Sequence, residues 1–372
     1  MNFVLIEDNN LKYIIKEAFN NKYISIDTES NGLYSYENKL CLLQIEIGEK
    51  VFIIDTLKVD LFPLKEVFES NFIEKIFHSA YSDISMIRKK LDCSFNNIFD
   101  VMIASKYIFK KAVSLATLVR QYFGVNLEKK YQKINWGKRP FNHNQLLYAA
   151  MDVYYLKKLR DILIKDIINI NLYNEFKSNC EKISNVSERK TVFNIDKYYQ
   201  MAVNFCLSEK ETAIFIKAVE MREEIAKKID IPPFKVITNE LLVYVAKHHN
   251  ELMDATDLKL YNRSIVRNIE WIRKAIKDVI DGKFVYRKTK NNLNNHDNFF
   301  ELKLKLLKKW RREIAIKKNI QCELVIDIST LKQIAKLEDL KLEKLREIGV
   351  DEKLIAEYGN ILLGYFDEYL KN

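Results

Sequence analysis

KYISIDTES, residues 22–30, is a strand-like run that carries two carboxylates two positions apart. Side chains alternate faces along a strand, so Asp27 and Glu29 share one face while Ile24, Ile26 and Thr28 take the other. Two strand rises separate the acids by roughly 7 Å, and at an effective dielectric of about 20 their repulsion is on the order of 2 kcal/mol before desolvation. Either this face is solvated or a bound divalent cation offsets the repulsion. The second alternative requires further oxygen ligands elsewhere in the chain.

Around this strand lies a chain of 372 residues with 48% apolar content, long enough for two or three domains with ordinary cores. Neither end carries an apolar run of membrane-spanning length, and MNFVLIEDNN is too short and too soon acidic for a signal peptide, so a cytoplasmic location is expected. Five cysteines (Cys41, Cys93, Cys180, Cys206, Cys322) are odd in number, scattered and without C-x-x-C pairing, which argues against a disulfide framework and a zinc site and for buried reduced thiols. A formal charge of +10 suits a polyanionic partner.

The first 165 residues alternate strand and helix signals. An amphipathic helix around NLKYIIKEAF precedes three β-rich runs, KYISIDT, KLCLLQIEI and KVFIID, the last two joined by a tight Gly48-Glu49 turn. A helix near LKEVFES, the strand KIFH, a helix over Asp83–Lys90 and the strand NNIFD follow. Antiparallel strands first, then β-α-β, imply a mixed sheet covered by helices. Beyond about residue 170 only helical periodicity is found. NVSERKTVFN (185–194) reads as a connector and the Asn-rich YRKTKNNLNNHDN (286–298) as a second break. VEMREEIAKKIDIP (219–232) and KKWRREIAIKKNIQ (308–321) echo each other, which suggests a duplicated helical module.

Two further sites offer ligands. In FHSAYSDISMIRKKL the strand ends at His78 and Asp83 opens a helix, where alone it reads as an acid complementing the helix dipole. In QLLYAAMDVYYLKKL, Tyr148 and Asp152 stand four apart and share a helix face. Taken in order, Asp27 and Glu29 on a strand, Asp83 after a bend and Tyr148-x-x-x-Asp152 on a helix resemble the three motifs of the DEDD exonuclease superfamily, tyrosine subclass. LCLLQI, FHSAYSDISMI and SLATLVRQYFGVNLEK...INWGKRPFNHNQLLYAAMDVYYL resemble ribonuclease D through much of the catalytic domain, and the paired helical units resemble HRDC modules. The chain departs from some ribonucleases D at SNGLYSYENK (30–39), which has Ser30 and no arginine.

The resemblance implies a ribonuclease H-like α/β mixed-sheet exonuclease domain over residues 1–170. It further implies a helical connector (171–205), an HRDC module (206–287), a linker (288–298) and a second HRDC-like module (299–372). It also implies two divalent cations, Mg²⁺ or Mn²⁺, which suits carboxylate ligands because both are hard ions that prefer oxygen. Asp27 would bridge both metals, Glu29 and Asp152 would bind the one that activates water, Asp83 would serve the other largely through water, and Tyr148 would orient the attacking water. The activity implied is 3′→5′ trimming of structured RNA, tRNA precursors above all, releasing nucleoside 5′-monophosphates, with no membrane and no obligate protein partner evident. A Werner-type DNA exonuclease is the rival within the same chemistry, and a non-catalytic nucleic-acid-binding scaffold the rival outside it.

Other residues are more ambiguous. His78 reads as structural, and Gln44 as a packing or supporting residue. Lys129 and Arg139 flank the third motif and could bind phosphate or face solvent; Trp136 could cap the core or stack a base. The basic run LKLKLLKKWRREIAIKK could follow a phosphate backbone or form a solvated helix face.

Overall fold

The protein is described here from a computed structural model covering residues 1–184, 193–286, 296–337 and 340–370. Most of the connector expected at 185–194 and of the linker expected at 288–298 lies outside these residues; the helix after that linker begins at His296.

The N-terminal half is a six-stranded sheet with helices on both faces. Its elements are β1 (Asn2–Ile6), α1 (Lys12–Asn20), β2 (Tyr23–Ser30), β3 (Leu40–Ile47), β4 (Lys50–Asp55), α2 (Lys65–Glu69), β5 (Glu74–Phe77), α3 (Tyr81–Lys90), β6 (Ile98–Asp100), α4 (Val101–Phe109), α5 (Leu115–Phe123), α6 (His143–Tyr154), α7 (Leu156–Asn169) and α8 (Tyr173–Ile183). Strand order is β1-β4-β3-β2-β5-β6, antiparallel at β2-β3 and β3-β4 and parallel elsewhere, the mixed sheet that the sequence pattern predicts. Gly48 and Glu49 both take positive φ and close the β3-β4 hairpin, as a two-residue turn between twisted strands requires.

One strand escaped the sequence pattern. NFVLI pairs in parallel with β4 at the sheet edge, and such a short run with a non-local partner carries no alternation that marks it. At the centre, β2 and β3 are covered on both sides. Ile24, Ile26, Leu43 and Ile45 pack with α1, α2 and α3; the opposite face meets α4 and α6–α8 through Phe99, Ala149, Ala150, Val153 and Leu159. Burying an aliphatic side chain of this kind contributes about 1.5–3 kcal/mol, so the two clusters anchor β2 firmly. The polar side chains on β3 are Gln44 and Glu46; Glu46 accepts from Ser25 Oγ at 2.7 Å.

The helical half contains α9 (Ile195–Asn204), α10 (Glu209–Lys228), α11 (Pro233–Val236), α12 (Asn239–Lys247), α13 (His249–Asp254), α14 (Arg263–Arg267) and α15 (Ile269–Ile280), then α16 (His296–Lys318), α17 (Cys322–Val325), α18 (Ile328–Lys336), α19 (Leu342–Glu347) and α20 (Glu352–Leu370). Each group has its own core, the first around Ile214, Val219, Leu242 and Ile272, the second around Leu307, Trp310, Leu331 and Tyr358. Helix α8 packs into the sheet's core through Phe176 and Cys180, whereas α9 packs into the first helical core through Ala202. The stretch expected to connect the halves therefore contributes to both.

The sequence echo continues in the structure. With the two echoing segments aligned in sequence, the bounds of α11 fall on those of α17 and the bounds of α12 on those of α18. Arg222 Nη1 donates to Ile237 O at 3.2 Å, and at the matching positions Arg311 Nη1 donates to Ile326 O at 3.1 Å. Ile231 N donates to Ala226 O and Ile320 N to Ala315 O in the same helix-ending turn, where Asp230 and Asn319 both have φ of 49°.

Candidate metal centre

The site forms where the sheet opens. Strand β5 pairs with β2 only along Tyr23–Ser25 and then ends at Phe77, so Asp27–Glu29 have no strand neighbour on that side. The chain turns away through Ser79, whose φ of 72° is unusual for a residue with a side chain, and enters α3. Asp100 holds this bend. Its carboxylate accepts from the backbone N–H of Ser79 and Ala80 at the start of α3 and of Met102 and Ile103 at the start of α4. Asp83 follows in the first turn of α3. From the other face comes α6, started by a capping box between Asn142 and Gln145 and seated on the sheet through Ala149 and Ala150, whose small side chains let the helix approach. Tyr148 and Asp152 project from it.

Asp27, Glu29 and Asp152 converge, with one oxygen of each within 4.8 Å of the other two. Asp83 adjoins them, its Oδ1 accepting from Thr28 Oγ1 at 2.5 Å. All five expected residues line one cavity of about 580 Å³, together with Thr28, His78 and Lys129. Burial pushes the Asp27 carboxyl up to about 7, against the lowering effect of its backbone hydrogen bond. Burial, then repulsion from the neighbouring acids, also holds Glu29, Asp83 and Asp152 well above the ordinary carboxylate range. Four acids so buried and crowded suit a cation, because positive charge at their centre favours the ionised carboxylates that burial and mutual repulsion disfavour. Burial and the adjacent Asp152 carboxylate push the Tyr148 phenol far above its usual value.

The more ambiguous residues separate clearly. Arg139 is committed to the fold: its Nε and Nη2 each contact a different oxygen of the fully buried Asp55 at 2.6 Å. A phosphate contact for Arg139 is therefore set aside. Trp136 is buried and stacks against Tyr148 with ring centroids 6.1 Å apart, so it caps the core beneath the site and is not open to a base. His78 Nε2 pairs with the Val113 carbonyl at 2.9 Å, a structural bond at the cavity wall. Gln44 lies opposite Asp27 in the β2-β3 register and is fully buried, its amide without a hydrogen-bond partner among the described residues. Thr28 and Asp100 were not singled out from sequence. Thr28 sits between two acids and Asp100 ends a strand, and neither spacing reveals that one bonds Asp83 and the other sets its approach.

Compared with known proteins, residues 4–168 match the family described as 3′-5′ exonuclease, and residues 303–365 match the HRDC domain. The N-terminal half is a 3′-5′ exonuclease domain. Ribonuclease D of Desulfotalea psychrophila is 28% identical over 239 residues, 63% of this chain and 64% of that protein. Exosome complex exonuclease RRP6 of Saccharomyces cerevisiae is 29% identical over 253 residues, 62% of this chain and 34% of that protein. The match thus spans less than two-thirds of either relative. Escherichia coli RNase D has the same fold across the chain, with a TM-score of 0.69, 21% identity and coverage of 99% of this chain and 100% of the other. In domain content and fold the chain is similar to ribonuclease D: a mixed-sheet exonuclease domain followed by a helical HRDC region. Among the described residues no helix is long and apolar enough to cross a membrane.

Proposed function

We propose that this chain is a metal-dependent 3′→5′ exoribonuclease that trims the 3′ ends of structured RNA, tRNA precursors above all. The observation that supports this best is the convergence of Asp27, Glu29 and Asp152 beside Asp83 and Tyr148 in one cavity of an exonuclease domain. Asp27, Glu29, Asp83 and Asp152 would hold two divalent cations, Mg²⁺ or Mn²⁺, which supply an acidified water and stabilise charge on the leaving 3′-oxygen. The chain's own contribution is placement. Asp27 and Glu29 come from a strand buried on both faces, and Asp152 from a helix capped and packed on that strand, so the ligands are held before substrate arrives. Tyr148, with a phenol raised above its usual value, stays protonated at neutral pH and orients the attacking water by hydrogen bonding. Lys129 at the cavity wall would meet the phosphate backbone.

In this reading both helical units are HRDC modules. The second matches that family, and the first repeats its Arg-to-carbonyl bond and its helix-ending turn. We place the exonuclease domain at 1–170, extended by α8, and the first module from α9 onward. Cysteines that carry no disulfide, three of them buried, suit a reducing cytoplasm.

The test is release of nucleoside 5′-monophosphates from the 3′ end of matched RNA and DNA oligonucleotides in Mg²⁺ or Mn²⁺, with and without EDTA. The proposal expects EDTA-sensitive trimming, faster on RNA. Equal or faster trimming of DNA would favour the Werner-type alternative, and no hydrolysis in either metal would overturn the assignment.

A further inference from the structure

The duplicated modules meet the exonuclease domain through the same turn. In the first module the turn after α10 presents Asp230, whose Oδ1 accepts from Ser35 Oγ at 2.7 Å and from the Tyr36 backbone N–H at 3.0 Å; Tyr36 Oη reaches Glu223 at 3.2 Å. In the second module the matching turn after α16 presents Asn319, whose carbonyl accepts from Lys110 Nζ at 2.5 Å, while Gln321 Nε2 donates to the Lys110 carbonyl at 2.8 Å. Asp230 and Asn319 are equivalent residues in the same left-handed conformation.

What the two turns hold is not equivalent by ancestry: one target continues the strand that carries Asp27 and Glu29, and the other lines the cavity. The loop 31–39 begins directly after β2, and the β2-β3 register shifts between Glu29 and Ser30, so this loop sets how the strand carrying Glu29 ends. From the same loop Tyr34 Oη donates to the Lys133 carbonyl at 2.6 Å, in the segment whose Lys129 and Gln132 line the cavity. The loop 110–114 supplies part of the cavity wall through Ala112, Val113 and Ser114. Loops are ordinarily the parts of a domain that open most easily, and an anchor at each lowers that freedom.

We propose that the helical modules are paired braces of the exonuclease site, each using its repeat-equivalent turn to fix one loop: the loop that leads out of β2 and the loop that lines the cavity. Asp230 and Lys110 are then positioning residues for hydrolysis, required even for a strand too short to touch the modules. The inference rests on the nuclease reading of the site for its kinetic consequence, though not for the bracing itself.

The experiment uses the full chain with Asp230→Gly, which removes both acceptor bonds while keeping a left-handed turn easy, and Lys110→Met, which removes the donor while keeping the stem. Asp230→Asn and Lys110→Arg are the conservative partners. On a single-stranded RNA tetranucleotide, kcat should fall about threefold to tenfold in each of the first two variants and multiplicatively in the double variant, with KM within about twofold. The conservative partners should stay within about twofold of wild type. Amide hydrogen exchange should accelerate about tenfold or more in 31–39 for Asp230→Gly and in 110–114 for Lys110→Met, each in its own loop. A double variant with wild-type kcat, or with unchanged exchange in both loops, overturns the proposal. If the wild-type chain did not hydrolyse RNA at all, the nuclease reading would fall while the exchange measurement still decided the bracing.

Discussion

Replacing Asp27 with Asn should abolish hydrolysis and, in metal-free solution, make the exonuclease domain more stable. The oxygens of Asp27, Glu29 and Asp152 lie within 4.8 Å of one another. At that distance, with an effective dielectric of about 20, each ionised pair repels by about 3.5 kcal/mol. Burial adds the cost of holding a charge away from water, and it raises the Asp27 pKa from 3.8 to about 7, so the folded apo site keeps this proton. That rise bounds its destabilising contribution at about 4 kcal/mol once it is ionised. The sign follows from linkage. Between about pH 4 and pH 7 the folded site holds a proton that the unfolded chain has lost, so stability falls as pH climbs through this window and levels off above it. Asparagine cannot ionise and avoids that fall. Calorimetry in EDTA should therefore show the variant's exonuclease-domain transition on the order of 10 °C above wild type at pH 8 and nearly level with it at pH 4. Added Mg²⁺ should raise the wild-type transition and leave the variant's almost unmoved. An apo variant melting no higher than wild type at pH 8, or gaining equally at pH 4, would show that an ionised, buried Asp27 does not destabilise this site. Retention of more than about a tenth of wild-type turnover, a loss of only about 1.4 kcal/mol, would remove Asp27 from the ligand set.

Other consequences can be measured separately. Tyr148→Phe should lose turnover with substrate affinity nearly intact, since the hydroxyl would meet the attacking water and not the bound strand; a main effect on KM would point to stacking instead. Binding of Mn²⁺, followed by calorimetry, should strengthen steadily from pH 5.5 to pH 8 with proton release, because acids held above their ordinary range must ionise to bind; an affinity flat over this range would contradict the raised carboxyls. Arg139→Ala should destabilise the domain by about 3–5 kcal/mol by stranding the buried Asp55 carboxylate, while the salt dependence of RNA binding stays unchanged; a shallower salt slope without loss of stability would restore a phosphate-binding role. A 3′-phosphate should block trimming of a linear RNA, and efficient cutting of a circular RNA would count decisively against exonucleolytic action.

The sequence by itself determined the candidate ligands and the elements that carry them. The alternation in KYISIDTES puts Asp27 and Glu29 on one strand face, and four-residue spacing puts Tyr148 and Asp152 on one helix face; both are local geometry, set by the backbone's own repeat. The hairpin turn at Gly48-Glu49 and the repeated helical module were legible for the same reason, since turn chemistry and internal similarity are written along the chain. Only the tertiary structure decided what depends on residues far apart meeting. Arg139, one of several basic residues near the third motif, was compatible with phosphate, until Asp55, distant in sequence, claimed its guanidinium in the core. Asp100 became the hinge pin of the Asp83 bend because one carboxylate can cap two helix starts at once. Edge strand β1 formed because β4 offered it a parallel partner, and the two module turns found loops 31–39 and 110–114 because the folded halves bring them together. Such contacts arise from packing a whole chain, and no local periodicity encodes them.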